Sequence, residues 1–216
     1  MTREAPTYVM EMAARVVATA DPSEKVRLAH ETAHAWSSGQ LDAPRSGAAS
    51  CAPDAPGRPP RPELKPPAQV PRRRLGNPAG RFALMHAVAH IEFNAIDLHF
   101  DMVARFAGDA RIADAQRHGF VSDWISVGDD EARHFTLVRR RLQEMGGDYG
   151  DLPAHDGLWE AASNTSGDLA ARLAVAPMVL EARGLDVTPM MIEKLDSVGD
   201  EASVAILRII YEEEVG

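Results

Sequence analysis

The chain has 216 residues, 45% of them apolar and 25% charged, with a formal net charge of −9. That length can carry one domain with a substantial core plus an appendage, and the composition is that of a soluble globular protein. The acidic balance argues against generic nucleic-acid binding, no apolar run approaches the roughly 20 residues that span a bilayer, and the N-terminus lacks a secretory hydrophobic region, so neither a membrane partner nor export is expected.

Residues 7–20 place Val9, Met12, Ala13, Val16 and Ala20 on one helical face. Asp21-Pro22-Ser23-Glu24 then reads as a helix start, with Asp21 as cap, Pro22 in the first turn and Glu24 able to reach back. The second helix runs to about Trp36 and ends near Gly39, which makes residues 1–41 a helical hairpin. His30 and His34 have a spacing that a metal could use, but no acidic partner is near them, so a solvated or capping role is the expectation.

Residues 42–80 change character. Pro53, Pro56, Pro59, Pro60, Pro62, Pro66, Pro67 and Pro71 exclude a regular helix or central strand, which leaves an extended linker draped over the domain. Its lone cysteine, Cys51, has no disulfide partner in the chain, which fits a reducing, cytoplasmic compartment. The linker ends in Arg72-Arg73-Arg74, a run that suits either a solvated linker end or an acidic or phosphate surface.

The remaining stretch, 81–216, reads as four long helices. The first follows the start signal Asn77-Pro78 and carries Met85, Val88, Ala95, Ile96, Met102, Val103 and Phe106 on one stripe through residues 84–106, with Glu92 and His99 on the same face. Gly108-Asp109 breaks it. The second helix has the stripe Phe120, Trp124, Val127, Val138, Leu142 and Met145, with Glu131 and His134 in its middle, and stops at Gly146-Gly147. A long connection, 146–165, includes a short helical turn near Leu158-Trp159. The third helix opens at Thr165-Ser166-Gly167-Asp168, carries Leu173, Ala174, Met178, Leu185, Ile192 and Leu195 with Glu181 inside the stripe, and is expected to kink or break at Gly184 and Pro189. The fourth starts near Glu201 and places Glu214 one turn beyond Ile206, Leu207, Ile210 and Tyr211.

A core-facing stripe normally excludes charge, and an isolated buried carboxylate costs several kcal/mol or shifts its pKa. Glu131 and His134 alone leave two readings open, a shared metal ion or a buried Glu–His hydrogen bond. Four helices each with one internal glutamate favour the metal. The heights agree as well: Glu92 and Glu131 are centred near residues 111–112, and Glu181 and Glu214 near 197–198, each beside a Gly-Asp break. Two hairpins that level their glutamates, joined by one long crossover, make an all-α, ferritin-like four-helix bundle. In that architecture Glu92 and Glu181 are the single carboxylates, Glu131-x-x-His134 is one paired motif, and Glu214 begins the second, whose histidine would fall just after Gly216. The chain is therefore expected to be a C-terminally incomplete piece.

The segments HAVAHIEFNAIDL (86–98), DDEARHF (129–135), GDYGDLPAHDGLWE (147–160), LEARGLDVTP (180–189) and GDEASVAILRIIYEEEVG (199–216), with the proline-rich lead-in, resemble a bacterial family of ferritin-like proteins catalogued as a domain of unknown function. The resemblance covers most of residues 55–216 and implies a last helix that continues into a histidine. It also implies a di-metal carboxylate site, with iron as the metal and manganese or a mixed Fe/Mn pair as alternatives. Tyr211, Arg183, Asp186 and His99 are candidates to orient the ligands, each with a purely structural alternative. His155-Asp156 could rim an entrance.

The expected function is O2-dependent oxidation or hydroxylation of a small or nucleoside-like substrate, with an electron donor. The alternatives are non-catalytic iron handling and a metal-free interaction module. A tRNA substrate, served by Arg72–Arg74 and Arg139–Arg141, ranks lower because of the net negative charge, and a homodimer is compatible with the pattern.

Overall fold

In the computed structural model residues 8–70, 75–175 and 182–215 are described, with the backbone alone at 182–186. Every regular element among them is helical: α1 (Val9–Ala18), α2 (Pro22–Ser37), a 3-10 turn (Pro67–Gln69), α3 (Pro78–Phe106), α4 (Asp114–Glu144), α5 (Gly157–Asn164), α6 (Leu169–Val175), α7 (Ala182–Asp196) and α8 (Glu201–Val215). The fold class is all-α, and the extended pairings are two isolated bridges, Tyr8 with Asp42 and Leu64 with Ala154. Among the described residues no helix is long and apolar enough to cross a membrane. Contacts group the chain into two compact units, Met1–Pro59 with Phe93–Arg133, and Pro60–Glu92 with His134–Gly216.

In the first unit α1 and α2 pack against each other. Asp21 caps α2 by accepting from Glu24 N at 2.8 Å, as its sequence requires. Lys25 is fully buried. Its ammonium donates to the α1 carbonyls Val16 O (3.2 Å) and Val17 O (3.1 Å) and pairs with Asp97 of α3. Arg58, from the proline-rich stretch, donates to the other oxygen of Asp97 at 2.8 Å. Arg105 of α3 donates to Pro53 O at 2.9 Å. The linker is extended, as its prolines dictate, and these two arginines fasten it. It also comes so close to Gly108 that a Cβ there would lie 2.4 Å from Ala48 O, which is why the break after α3 needs a glycine. Cys51 lies in the same stretch, and burial pushes its thiol above the ordinary range.

In the second unit α3 begins at Pro78, with Asn77 Oδ1 accepting from Gly80 N at 2.8 Å. The stripe read from residue 84 therefore lies inside a longer helix. Gly146, at φ +92°, ends α4 in the left-handed region that favours glycine. The connection that follows is more helical than its sequence suggested. Its expected single turn at Leu158-Trp159 is the eight-residue helix α5.

The third long helix is expected from residue 165 with a kink or break at Gly184 and Pro189, and its described parts are α6 and α7, on either side of residues 176–181, which lie outside the described residues. Arg172 is buried in α6 and donates to Ala162 O at 2.6 Å and Thr165 Oγ1 at 2.9 Å, so it caps the end of α5. That guanidinium ties α6 to α5. Pro189 lies inside α7, which is assigned without interruption from Ala182 to Asp196. α7 and α8 form a hairpin through Gly199 (φ +71°), and Asp200 caps α8 by accepting from Ser203 N at 3.2 Å.

Candidate metal centre

Between Leu84 and Ala107, α3 is buried on nearly every face. Such a helix has no outer side to which polar residues can turn. Its charged residues go inside and need partners there. Asp97 meets Lys25 and Arg58, and Asp101 accepts from Arg105 at 2.8 Å. Glu92 meets a different set.

α4 supplies that set; its buried face keeps the expected Glu131, His134, Val138 and Leu142 but lies one residue off the expected stripe in its N-terminal half. Val121, Ile125, Gly128, Ala132, Phe135, Val138 and Leu142 are buried, whereas Phe120 and Trp124 are half-buried and Val127 is 37% exposed. The cause is Gly128, where a Cβ would stand 2.7 Å from the Phe100 ring of α3. The smallest side chain thus sets the line of closest approach. Glu131 and His134 flank this line and remain buried.

Glu92, Glu131 and His134 each offer one ligand atom, and these atoms lie within 4.8 Å of one another. His134 Nδ1 stands 3.8 Å from Glu92 Oε2. On its other edge His134 Nε2 is 2.7 Å from Glu213 Oε2 of α8. A carboxylate only accepts, so Nε2 carries the ring hydrogen, and in the neutral imidazole the lone pair is at Nδ1, facing Glu92. A histidine that ligates through one nitrogen and donates to a carboxylate from the other has its tautomer and ring plane fixed in this way.

The donor set fits a divalent metal. Two carboxylates in one buried volume repel each other, and a divalent cation neutralises both. Oxygen and imidazole donors without a thiol suit manganese and iron better than a thiolate-rich zinc site.

The other expected site residues lie as follows. Glu181 falls outside the described residues. Arg183 and Asp186 are on α7 with side chains outside the description. Glu214 is at the exposed end of α8, beside Glu213, and Tyr211 is partly exposed one turn earlier. His99 is buried and stacks on Trp124 with ring centres 5.5 Å apart. His30, expected to be solvated, is exposed, and its Nδ1 is 2.6 Å from Asp129 Oδ1. Arg72–Arg74 lie outside the described residues. Arg139 pairs with Asp148 at 2.8 Å and Arg141 with Asp200 at 2.9 Å.

Two contacts were not legible in the sequence. Glu213 sits in the run Glu212-Glu213-Glu214, where nothing but its place before Glu214 distinguishes it. Tyr149, in the crossover, has its hydroxyl 2.9 Å from His90 Nδ1. His90 Nε2 is 3.0 Å from His155 O, and a carbonyl accepts, so Nε2–H donates there and the Tyr149 hydroxyl donates to Nδ1. The Tyr149 ring also stacks on His86 (5.6 Å) and meets Phe135 edge-on (5.2 Å). The crossover is thereby anchored to the residue that follows His134.

The profile of a family described as "Protein of unknown function (DUF455)" matches residues 18–216. An uncharacterized protein of Haemophilus influenzae is 46% identical over 158 residues, which is 73% of this chain and 55% of that protein. The chain thus spans little more than half the length of that relative. No solved structure matches the chain.

Proposed function

The chain belongs to the DUF455 family of proteins of unknown function, and on that footing we propose that it is a di-metal carboxylate protein of ferritin-like arrangement that oxidises or hydroxylates a small or nucleoside-like substrate with O2. One observation carries this reading: the buried Glu92/Glu131/His134 cluster, with Glu213 at His134 Nε2 and Glu92 facing its Nδ1. Iron is the proposed metal, with manganese or a mixed pair as the variants that the same donors would accept. Glu181 and Glu214 complete the proposed ligand set from the sequence pattern.

A bound iron pair would supply the electrons that reduce O2 for oxidation of a substrate, with an external donor to restore it. The chain's own residues do the rest. Glu92 and Glu131 balance the cationic charge, and Glu213 keeps His134 in the ligating tautomer. Phe135, Val88 and Ile96, near these positions in sequence, are buried.

The test is O2 uptake by the chain after anaerobic loading with Fe(II), beside Glu131→Gln treated in the same way. Uptake that follows the iron content, and is lost in the variant, is the expected result. Iron retained without O2 uptake would favour non-catalytic metal handling. No retention of iron would leave a metal-free helical module.

A further inference from the structure

The second unit contains a cleft of about 590 Å3 that the metal centre does not use. Its walls include Ala79, Arg81 and Phe82 from the first turns of α3, Arg141 and Met145 from the end of α4, and Asp200 at the start of α8. Arg81 precedes Glu92 on α3 by about 16 Å and Arg141 follows His134 on α4 by about 10 Å, at 1.5 Å per residue. The cleft is therefore a separate place on the same helices.

Asp200 is only 6% exposed. Its Oδ1 accepts from Arg141 Nη2 at 2.9 Å and from Ser203 N at 3.2 Å. Its Oδ2 is buried and accepts no hydrogen bond, and Arg81 Nε stands 3.5 Å from it. A buried carboxylate oxygen with open acceptor capacity is costly, and an N–H donor from a ligand would satisfy it. Arg81 is held loosely in turn. Among the described residues its second contact is Nη1 to Leu75 O at 3.4 Å, also at the long limit of a hydrogen bond. The guanidinium lies beside the first turn of a 29-residue helix, whose positive dipole end adds to its attraction for an anion. Arg141, by contrast, is fully engaged with Asp200, Ser203 and Glu144.

The cleft thus sets an under-used acceptor beside an under-used cation, with Phe82 and Met145 as an apolar wall. We propose that it binds a small zwitterion, an α-amino acid or close relative, with its ammonium on Asp200 Oδ2, its carboxylate on Arg81 and its side chain against Phe82 and Met145. An α-amino acid carries its two charges on adjacent carbons, so one ligand that swings the Arg81 guanidinium off Asp200 can pair with both. The cleft volume leaves room for a side chain.

The experiment is a thermal-shift screen of the full 216-residue chain, without added metal, against the L-amino acids, followed by titration calorimetry of any hit. The N-acetyl and methyl-ester forms of the hit are the controls that remove its two charges singly. At saturation the hit raises Tm by several degrees, as ligand linkage requires, and both blocked forms fail to do so. Asp200→Asn keeps an oxygen to cap Ser203 and loses the shift, and Arg81→Gln, whose contacts are long, loses it as well. Should Asp200→Asn not fold, Arg81→Gln decides alone. Glu131→Gln keeps the shift, so failure here and failure of the metal centre are distinguishable. No shift with any amino acid, an equal shift with the blocked forms, or a shift that survives in Arg81→Gln would overturn the proposal.

Discussion

Lys25 and Asp97 illustrate what a single residue can hide. In sequence Lys25 is an ordinary charged residue near the start of α2. In the structure its ammonium is fully buried among two carbonyls and a carboxylate. Burial draws Lys25 below its usual range and pushes Asp97 above its own, and the attraction of each for the other opposes both shifts. Removing one partner strands the other, so Asp97→Ala should lower the unfolding free energy by about 3–5 kcal/mol, whereas a Lys25→Met, Asp97→Leu double variant should recover much of the loss. Urea denaturation of the three proteins checks this, and an Asp97→Ala chain as stable as the parent would contradict it. The glutamates were legible for the same physical reason that Lys25 was not. A carboxylate inside an apolar stripe breaks a pattern, while a lysine on a mixed helix breaks none. Glu213 stayed hidden because its partner, His134, is 79 positions away in sequence.

At the scale of elements, the limits of α1, α2 and α8 follow the caps and breaks in the sequence, because Asp21-Pro22 and Gly199-Asp200 are local chemistry. The buried face of α4 followed the expected stripe at Glu131, His134, Val138 and Leu142 but not at Phe120, Trp124 and Val127. Gly128 approaches the Phe100 ring of α3 there, a tertiary contact that the periodicity does not carry. Gly128→Ala should therefore force α3 and α4 to shift and cost about 1–3 kcal/mol, read as a drop in Tm. An unchanged Tm would mean that the contact has slack. The bond of the buried Arg172 to Ala162 O, which ties α6 to α5, also escaped the sequence because it is tertiary. The turn after α4 makes a pH-dependent contribution. Hydrogen bonding to Arg139 holds the Asp148 carboxyl below its ordinary range. Its stabilisation is present above the unfolded-state pKa of about 4 and is lost as pH falls through the lowered folded value. Asp148→Asn should lower Tm modestly at neutral pH, by less than about 1 kcal/mol of stability because the pair is partly exposed. The difference should close in acid, and a gap that widened there would contradict the assignment.

At the scale of the molecule, the all-α class was legible because helical periodicity repeats over long segments, and the lack of regular structure over 43–66 because the prolines there forbid it. The meeting of Glu92, Glu131 and His134 was expected from hairpin geometry, and the structure places them together. A metal that binds only the folded chain stabilises it by mass action. Iron loading should raise Tm, and a chelator should return it to the apo value. In Glu92→Gln the increase should shrink or vanish.

The most direct measurement is iron per chain by elemental analysis, after anaerobic Fe(II) loading and desalting, for the parent chain and for Glu131→Ala. Two tightly held irons in the parent, lost in the variant, are the predicted result. No stoichiometric iron in the parent, or the same iron in both, would contradict a metal centre built on Glu92, Glu131 and His134.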